Sequence, residues 1–336
     1  MAADAQKVCL LLADLSGYTA YLAASEPSRA PAMAADLVET VVRQLQPTFR
    51  LEKLEGDAAF MVASLARLTG AALLDAIDAT TVAFRARLRS LERATTCDCE
   101  ACRRIPELDL KFVIHTGEVV AQRVAGRTEL AGIDAIVVHR LLKAETPAEH
   151  GLARYALFTD ACVKALDLDA TSLHLVSGVE RFDFLGDVPV HLLDLSSRFT
   201  ADVGSWAPPR RKPLLEVDLR VPVAPMALWE ELTAPENRAR WEGLQSIEQI
   251  GDAPRGVGMV TSCTADRLAT VEQIVEWRPF AAFARTVKLP PNARLTAHHE
   301  LEPDGDGTRL RIRWWGAPET ADHARRQRER LQQLVT

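Results

Sequence analysis

Two aspartates occur at positions where a carboxylate could bind a divalent cation. Asp14 ends a short apolar run that is typical of a buried strand, and a glycine and hydroxyl side chains follow it closely. Asp57 follows Gly56 between two apolar runs that predict a hairpin. Backbone amides of a glycine turn can bind phosphate oxygens. Paired carboxylates can hold two hard cations roughly 3.5–4 Å apart for phosphoryl chemistry. Taken alone, each aspartate is also explained as a helix cap or a turn residue.

Three cysteines form a second group of potential ligands, between a long predicted helix and the next predicted strand. Cys97, Cys99 and Cys102 are close enough in sequence to surround one soft cation, for which Zn²⁺ is the best candidate. A fourth ligand would come from His115, His139, another cysteine or a partner chain. The alternative is a set of free, redox-sensitive thiols in a loop.

The elements that must position these residues alternate between strands and helices in the first half of the chain. Apolar periodicity predicts helices, and short apolar runs bounded by turn residues predict strands. The expected elements are a strand over 8–13, a helix over 29–45, a hairpin of 49–54 and 58–62, a helix over 70–93, strands over 110–114 and 119–124, and a helix over 134–143 that Asp134 would cap.

The second half has a different organisation. Residues 196–213 contain three prolines and a basic cluster, and we interpret them as a linker between a first domain over 1–195 and a second over 214–336. After the linker we expect one strand, a helix, a meander of strands and a closing helix. The predicted segments are 215–221, 225–242, 246–250, 258–265, 269–277, 281–287, 294–302, 308–315 and 321–334.

Length and composition exclude several classes of protein. A chain of 336 residues is long enough for about two domains. Its 46 acidic and 40 basic residues give a net charge of −6, which argues against a nucleic-acid-binding protein. No apolar run reaches the ~18–20 residues that span a bilayer, and no signal peptide is evident. Six cysteines are too few for a disulfide scaffold. We therefore expect a soluble, cytoplasmic protein without a membrane or nucleic-acid partner.

Four segments of the first half, in the same order, resemble class III adenylate and guanylate cyclases. ADLSGYT at 13–19 and KLEGDAAF at 53–60 are similar to the two metal motifs of that family. KFVIHTG at 111–117 and GIDAIVVHR at 132–140 are similar to the segments that follow them. The resemblance covers about residues 6–195. It implies an α+β fold, with a ferredoxin-like βαββαβ-type sheet and helices.

The resemblance assigns metal and phosphate contacts to the two aspartate segments. Asp14 and Asp57 match the aspartates that bind two Mg²⁺ or Mn²⁺ ions, and the carbonyl of Leu15 would be a further ligand. The residues that match the phosphate-contacting turn are Ser16, Gly17, Tyr18 and Thr19.

The resemblance also implies a nucleotide substrate and a second subunit. Lys53 matches the lysine that reads the purine edge, and Glu129 stands where an acidic partner of the adenine amino group is expected. Together they favour ATP over GTP. Arg140 matches the arginine that stabilises charge on the α-phosphate. In this family the site forms between two chains, which implies a homodimer.

Two positions depart from the family pattern. Ile136 stands where the family usually has an asparagine that orients the ribose, and an isoleucine cannot make that hydrogen bond. A phosphate-binding lysine near the end of the domain is also missing, and Arg181 is the only cation in the similar segment. A catalytically degenerate, nucleotide-binding regulatory protein is therefore the alternative hypothesis.

The second half resembles the START-like helix-grip family, which includes polyketide cyclase-like proteins. The likeness is carried by a strand at 216–219, a proline-led helix start at 224–229 and a tryptophan-ended segment at 237–241. It implies a cavity for a hydrophobic small molecule between the sheet and the last helix. No polar constellation able to do independent chemistry is apparent here, and His298 with Glu300 is interpreted as a solvated face. A reaction or lipid transport in this domain remains a further alternative.

The leading hypothesis combines the two resemblances. It is a signalling protein in which a START-like sensor domain controls an adenylate cyclase-type phosphorus–oxygen lyase. ATP would give cyclic AMP and pyrophosphate.

Overall fold

The computed structural model of the chain describes residues 5–25, 30–95, 97, 99–196, 206–265, 268–289 and 292–335. The chain separates into two compact units, residues 1–201 and 202–336. Half of the expected linker, residues 197–205, lies outside the described residues. None of the helices in the described ranges is long and apolar enough to cross a membrane.

The first unit is built on a mixed sheet in the order β2–β3–β1–β4–β6–β8–β7, with β5 pairing to β4 off this path. Only the β4–β6 pair in this order is parallel. The antiparallel order β2–β3–β1–β4 is that of a ferredoxin-like sheet, so the expected α+β fold class is confirmed. The strands are β1 (Ala5–Ser16), β2 (Arg50–Glu55), β3 (Ala58–Ser64), β4 (Asp109–Val124), β5 (Arg127–Ala131), β6 (Tyr155–Thr159), β7 (Val176–Phe182) and β8 (Gly186–Asp194).

Helices cover both faces of this sheet, which explains why β1 is a continuous apolar run rather than an alternating one. Leu10 and Leu12 of β1 pack with Val138 of helix α5 in one core cluster. Helices α2 and α3 contact each other, and α2 contacts β3. The helices are α1 (Tyr18–Ala23), α2 (Ala30–Leu45), α3 (Gly70–Ala94), α4 (Glu100–Arg104), α5 (Ile133–Arg140), α6 (Thr146–Glu149) and α7 (Asp160–Ala165).

The prediction of two strands over 110–114 and 119–124, joined around residues 116–118, is wrong, because β4 runs through this region as one unbroken strand. Gly117 is needed there for close approach and not for a turn: a Cβ at this position would lie 2.2–2.6 Å from the Asp134 side chain. Asp134 is not the cap of its helix, since Gly132 precedes α5 and Asp134 lies in the first turn. Its carboxylate instead accepts the backbone N–H of Glu118 at 2.7 Å and lies 3.0 Å from His115 Nε2.

The second unit is an antiparallel sheet in the order β10–β11–β12–β13–β14–β15–β9. Its first strand pairs with its last, and helices precede and follow the meander, as expected for a helix-grip fold. The single helix expected over 225–242 is two helices, because Ala234 is extended and Pro235 starts a new helix. The elements are β9 (Leu215–Val221), α8 (Pro225–Thr233), α9 (Pro235–Glu242), β10 (Ser246–Ile250), β11 (Val260–Ala265), β12 (Leu268–Arg278), β13 (Ala282–Leu289), β14 (Ala293–Asp304), β15 (Gly307–Gly316) and α10 (Ala321–Val335).

Candidate functional site

The sheet of the first unit brings Asp14 and Asp57 together. Asp14 pairs across β1 with Ala58, the first residue of β3, and Asp57 lies in the tight turn directly before it. Burial, and then the negative charge of Asp14, raises the pKa of the Asp57 carboxyl above its usual value. A neighbouring carboxylate disfavours the charged form of Asp57, and a bound cation would stabilise that charged form. Two oxygen-donor side chains of this kind fit Mg²⁺ or Mn²⁺.

Lys111 completes this group, although no role was expected for it. It pairs with Asp14 across β1 and β4, and its Nζ lies 3.0 Å from the Asp14 carboxylate. Its positive charge partly opposes the rise in the pKa of Asp57. The sequence offers one indication of this contact. Lys111 begins the segment 111–117, and in the antiparallel pair of β1 and β4 this residue lies opposite Asp14. Lys111 therefore neutralises one of the two carboxylates.

The turn after Asp14 requires a glycine, because its backbone is in the left-handed region at position 17. Gly17 has φ +83°, and a Cβ there would lie 3.0 Å from the carbonyl oxygen of Glu107. Gly17 itself is the residue before α1, with no side-chain cap, so Asp14 does not cap this helix. Leu15 is buried and pairs with Leu110. The three hydroxyl residues of the turn are wholly or partly accessible: Ser16, Tyr18 and Thr19.

A separate cleft of about 570 Å³ brings together Lys53 and Arg140. Its charged or titratable lining residues are Lys53, Glu55, His139, Arg140 and Lys143. Asp14 and Asp57 do not line it, although β2 and the turn after it join Lys53 to Asp57 within one hairpin. The two aspartates are therefore not part of the cleft that Lys53 and Arg140 line.

Glu129 does not belong to the part of the cleft that the described residues form. It is exposed on β5, where it pairs with Gln122 of β4, and the residues that follow it line the cleft instead. Ile136 does line the cleft and is half exposed, so an apolar side chain faces this space. Arg181 is exposed on β7, with its Nε 3.5 Å from Asp187.

Glu55 and His139 are two further polar residues of the cleft, and neither was expected to bind nucleotide. The Glu55 carboxylate lies 2.7 Å from Lys53 Nζ and 2.9 Å from His139 Nε2. Burial disfavours its charge, but these two partners outweigh that effect and hold the pKa of Glu55 below its usual value. Lys53 and Glu55 were predictable as neighbours because residues two apart on a strand share a face.

The three cysteines are brought together as expected. The Sγ atoms of Cys97, Cys99 and Cys102 all lie within 4.8 Å of one another, and those of Cys99 and Cys102 are 3.3 Å apart. Neither candidate histidine supplies a fourth ligand. His115 lies 2.9 Å from the Thr159 hydroxyl as well as close to Asp134, and His139 is bonded to Glu55.

Four charged side chains lie together in the interior of the second unit, a grouping that was not apparent in the sequence. We call Arg238, Glu242, Glu272 and Arg285 the buried charge cluster; each is at most 6% exposed. Glu242 accepts from Arg238 Nε at 2.7 Å and lies 2.6 Å from Arg285 Nη1. Arg238 also pairs with Glu272. Burial opposes the charge of Glu242, yet the two arginines lower its pKa to about 2.

His299 lies on the strand next to Arg285 and extends the cluster. Its ring stacks on Phe283 with centroids 4.1 Å apart. Burial, and then the charge of Arg285, holds its pKa well below the usual value, so the ring is neutral. Nδ1 of His299 and Nε of Arg285 have no hydrogen-bond partner within the described ranges. Two buried polar atoms are therefore available to a ligand.

His298 points to the other face of the sheet but is not solvated. It is 2% exposed, lies against the Trp206 ring at 4.8 Å between centroids, and has Nε2 2.9 Å from Glu276. The interpretation of His298 and Glu300 as a solvated face is therefore wrong for the histidine.

Acid should destabilise the second unit over a defined pH range. Unfolding returns His299 and Glu242 to their usual pKa values of 6.5 and 4.5, so the unfolded chain binds protons that the folded chain does not. Stability should fall as the pH drops below 6.5, and most steeply between 4.5 and about 2. All six tryptophans lie between residues 206 and 315. Urea unfolding followed by tryptophan fluorescence therefore measures this unit, and a midpoint that did not change with pH would contradict the prediction.

Family models match both halves of the chain. A model described as polyketide cyclase / dehydrase and lipid transport matches residues 213–334. A model described as a protein of unknown function (DUF2652) matches residues 34–150.

Two solved structures are similar in fold to one half each. A bacterial light-regulated adenylyl cyclase is 12% identical, with 58% of this chain and 53% of that chain covered and a TM-score of 0.44. The present chain thus spans about half the length of that protein. Protein MLL2253 from Mesorhizobium loti is 22% identical, with 36% of this chain and 95% of that chain covered and a TM-score of 0.31. The resemblances to class III cyclases and to the START-like family are confirmed as likenesses of fold.

One relative is similar in sequence over about half of the chain. The uncharacterized protein Rv2561/Rv2562 of Mycobacterium tuberculosis is 35% identical over 163 residues, which are 48% of this chain and 74% of that protein. The chain therefore belongs to the same family as this mycobacterial protein.

Proposed function

We propose that the first unit binds ATP and converts it to cyclic AMP and pyrophosphate. The observation that carries the proposal is the proximity of Asp14 and Asp57 beside a glycine turn, together with a cleft that both Lys53 and Arg140 line. Two Mg²⁺ or Mn²⁺ ions at the aspartates would lower the pKa of the ribose 3′-hydroxyl and neutralise triphosphate charge. Asp14 and Asp57 would hold them.

The reaction is a displacement at the α-phosphorus. The 3′-hydroxyl loses its proton to solvent, its oxygen forms a bond to this phosphorus, the bond to the bridging oxygen of the β-phosphate breaks, and pyrophosphate leaves. Arg140 would stabilise the charge that develops on the α-phosphate, and it is exposed and has no acidic partner among the ion pairs of the described residues. Lys53 would bind the purine edge, with Glu55 holding its ammonium group in place.

The separation of the two groups supports a homodimer. Within one chain, Asp14 and Asp57 lie outside the cleft that Lys53 and Arg140 line. A site that uses both groups at once would then take its aspartates from one chain and its cleft from another. In a twofold-symmetric dimer each such site occurs twice.

Mixing two inactive variants should restore activity if the site is shared in this way. Asp57→Asn and Arg140→Ala remove groups from the two different halves, so each variant alone should be inactive. Half of the dimers in an equal mixture are heterodimers, and each has one intact site, so about a quarter of the normal rate should return. Cyclic AMP formation with ATP and Mn²⁺ measures this. A mixture that stays inactive after subunit exchange would contradict the shared site.

Nucleotide binding without turnover is the alternative function. It is favoured by Ile136, which faces the cleft and cannot orient a ribose hydroxyl. In that case the purified chain would bind ATP in the presence of Mn²⁺ and form neither cyclic AMP nor pyrophosphate. Calorimetric titration of the same samples separates the two functions.

For the second unit the structure favours a small-molecule ligand that is apolar overall and has a polar group. The buried charge cluster and the two unpartnered nitrogens of His299 and Arg285 support the polar group, because a core that serves stability alone has no need for buried charges. Binding there would then control the first unit. The proposal is tested by replacing the four charges together and measuring whether the fold needs them.

A further inference from the structure

We propose that Cys97, Cys99 and Cys102 form a zinc site that fixes the segment supporting the Gly17 turn. The three thiols are the group of potential metal ligands that the described residues bring together, with every pair of Sγ atoms within 4.8 Å. A tetrahedral site with Zn–S bonds of about 2.3 Å requires sulfur atoms about 3.8 Å apart. The three cysteines thus reach this arrangement with shifts of less than about an ångström.

Two of the three sulfur atoms are already closer than a tetrahedral site needs, since Sγ of Cys99 and Sγ of Cys102 lie 3.3 Å apart. A zinc ion would bind the three sulfurs as thiolates and displace their protons.

The coordination sphere has room for one ligand from solvent. No further cysteine, histidine or carboxylate of the described residues joins the three thiols. Cys97 and Cys99 are exposed, so water can reach the fourth position. Three thiolate ligands favour a soft or borderline cation over Mg²⁺ or Ca²⁺, and with a divalent cation the site would carry a net charge of about −1.

The site lies beside the turn that carries the proposed phosphate contacts. Cys99 directly precedes α4, and α4 contacts α1, the helix that starts after Gly17. After α4 a short turn ends at Glu107, whose carbonyl packs under Gly17. Zinc would thus hold α4 and Glu107 in one position against the turn.

The experiment is a zinc titration of the reduced, chelator-stripped full-length chain in competition with a chromophoric chelator. We expect one tightly bound Zn²⁺ per chain, and at least about 100-fold weaker binding by Cys99→Ser and by Cys102→Ser. Cys162→Ala, which removes a buried thiol from α7, is the matched control and should bind as the unaltered chain does. Substitution with Co²⁺ should give the absorption of a tetrahedral thiolate site in the unaltered chain.

Amide hydrogen exchange gives a second readout that does not depend on turnover. Zinc should slow exchange in residues 17–23 and 100–107 of the unaltered chain but not of Cys99→Ser. Equal zinc affinity in Cys99→Ser and the unaltered chain would overturn the proposal. So would the loss of two thiols to a Cys99–Cys102 disulfide in the presence of equimolar Zn²⁺. Both results can be read whether or not the first unit forms cyclic AMP.

Discussion

Replacing Asp57 by asparagine should lower cyclic AMP formation by at least about 100-fold. An asparagine at this position would keep the shape of the hairpin turn but could not supply a second negative charge beside Asp14. Asp57 is the better of the two aspartates to test, because Asp14 also forms an ion pair with Lys111 that serves the fold. Product formed from ATP with Mn²⁺ is the measurement.

The same substitution should make the protein slightly more stable rather than less. The pKa of Asp57 is raised by burial and by Asp14, so its charge costs folding free energy at neutral pH. If Asp57→Asn loses activity while its unfolding temperature is unchanged or higher, the Asp57 carboxylate serves metal binding and not stability. Asp187→Asn, at an exposed position of the same unit, is the matched control and should leave activity unchanged. An Asp57→Asn protein with more than half of the normal activity would exclude the aspartate pair as the metal site.

The aspartate pair could be predicted from the sequence because local signals determine it. The apolar run before Asp14 predicts a strand, the Gly56–Asp57 pair predicts the hairpin turn, and their pairing follows from the fold that the motifs indicate. Lys111 could not be assigned in the same way. Its contact with Asp14 depends on the register of β1 against β4, and no local pattern encodes that register.

The continuous strand β4 shows a second limit of local patterns. A glycine flanked by Thr116 and Glu118 predicts a turn, yet Gly117 is there to make space for the Asp134 carboxyl group. A glycine in the sequence indicates that a side chain is not tolerated at that position, but it does not indicate the reason. Only the packing of α5 on β4 distinguishes a turn from a close approach.

The buried charge cluster was missed because each of its members is ordinary in its own segment. Arg238 and Glu242 are four apart on α9 and look like an exposed helix pair. Glu272 and Arg285 lie on neighbouring strands, where isolated charges are usually solvated. Only the folding of the sheet around these helices brings the four side chains to one buried place.

Replacing Arg285 by methionine should destabilise the second unit by about 3–5 kcal/mol. The substitution leaves Glu242 and Glu272 buried with one arginine between them, and an uncompensated buried charge is costly. Urea unfolding followed by tryptophan fluorescence measures the change, since all six tryptophans belong to this unit. Arg309→Met is the control: it breaks an exposed ion pair with Asp218 and should cost at most about 1 kcal/mol. If Arg285→Met lowers the free energy of unfolding by no more than the control does, the result would contradict the structure of the cluster.

Replacing all four charges together decides what the cluster is for. Arg238→Met, Glu242→Leu, Glu272→Leu and Arg285→Met in one chain remove both signs of charge at similar volume. If the charges are retained for a ligand, this variant should be as stable as the unaltered chain or up to about 4 kcal/mol more stable, although Arg285→Met alone is strongly destabilising. If the charges instead hold the sheet to its helices, the fourfold variant should lose at least as much stability as the single one. That second result would contradict a ligand site in this interior, because the charges would then be explained by the fold itself.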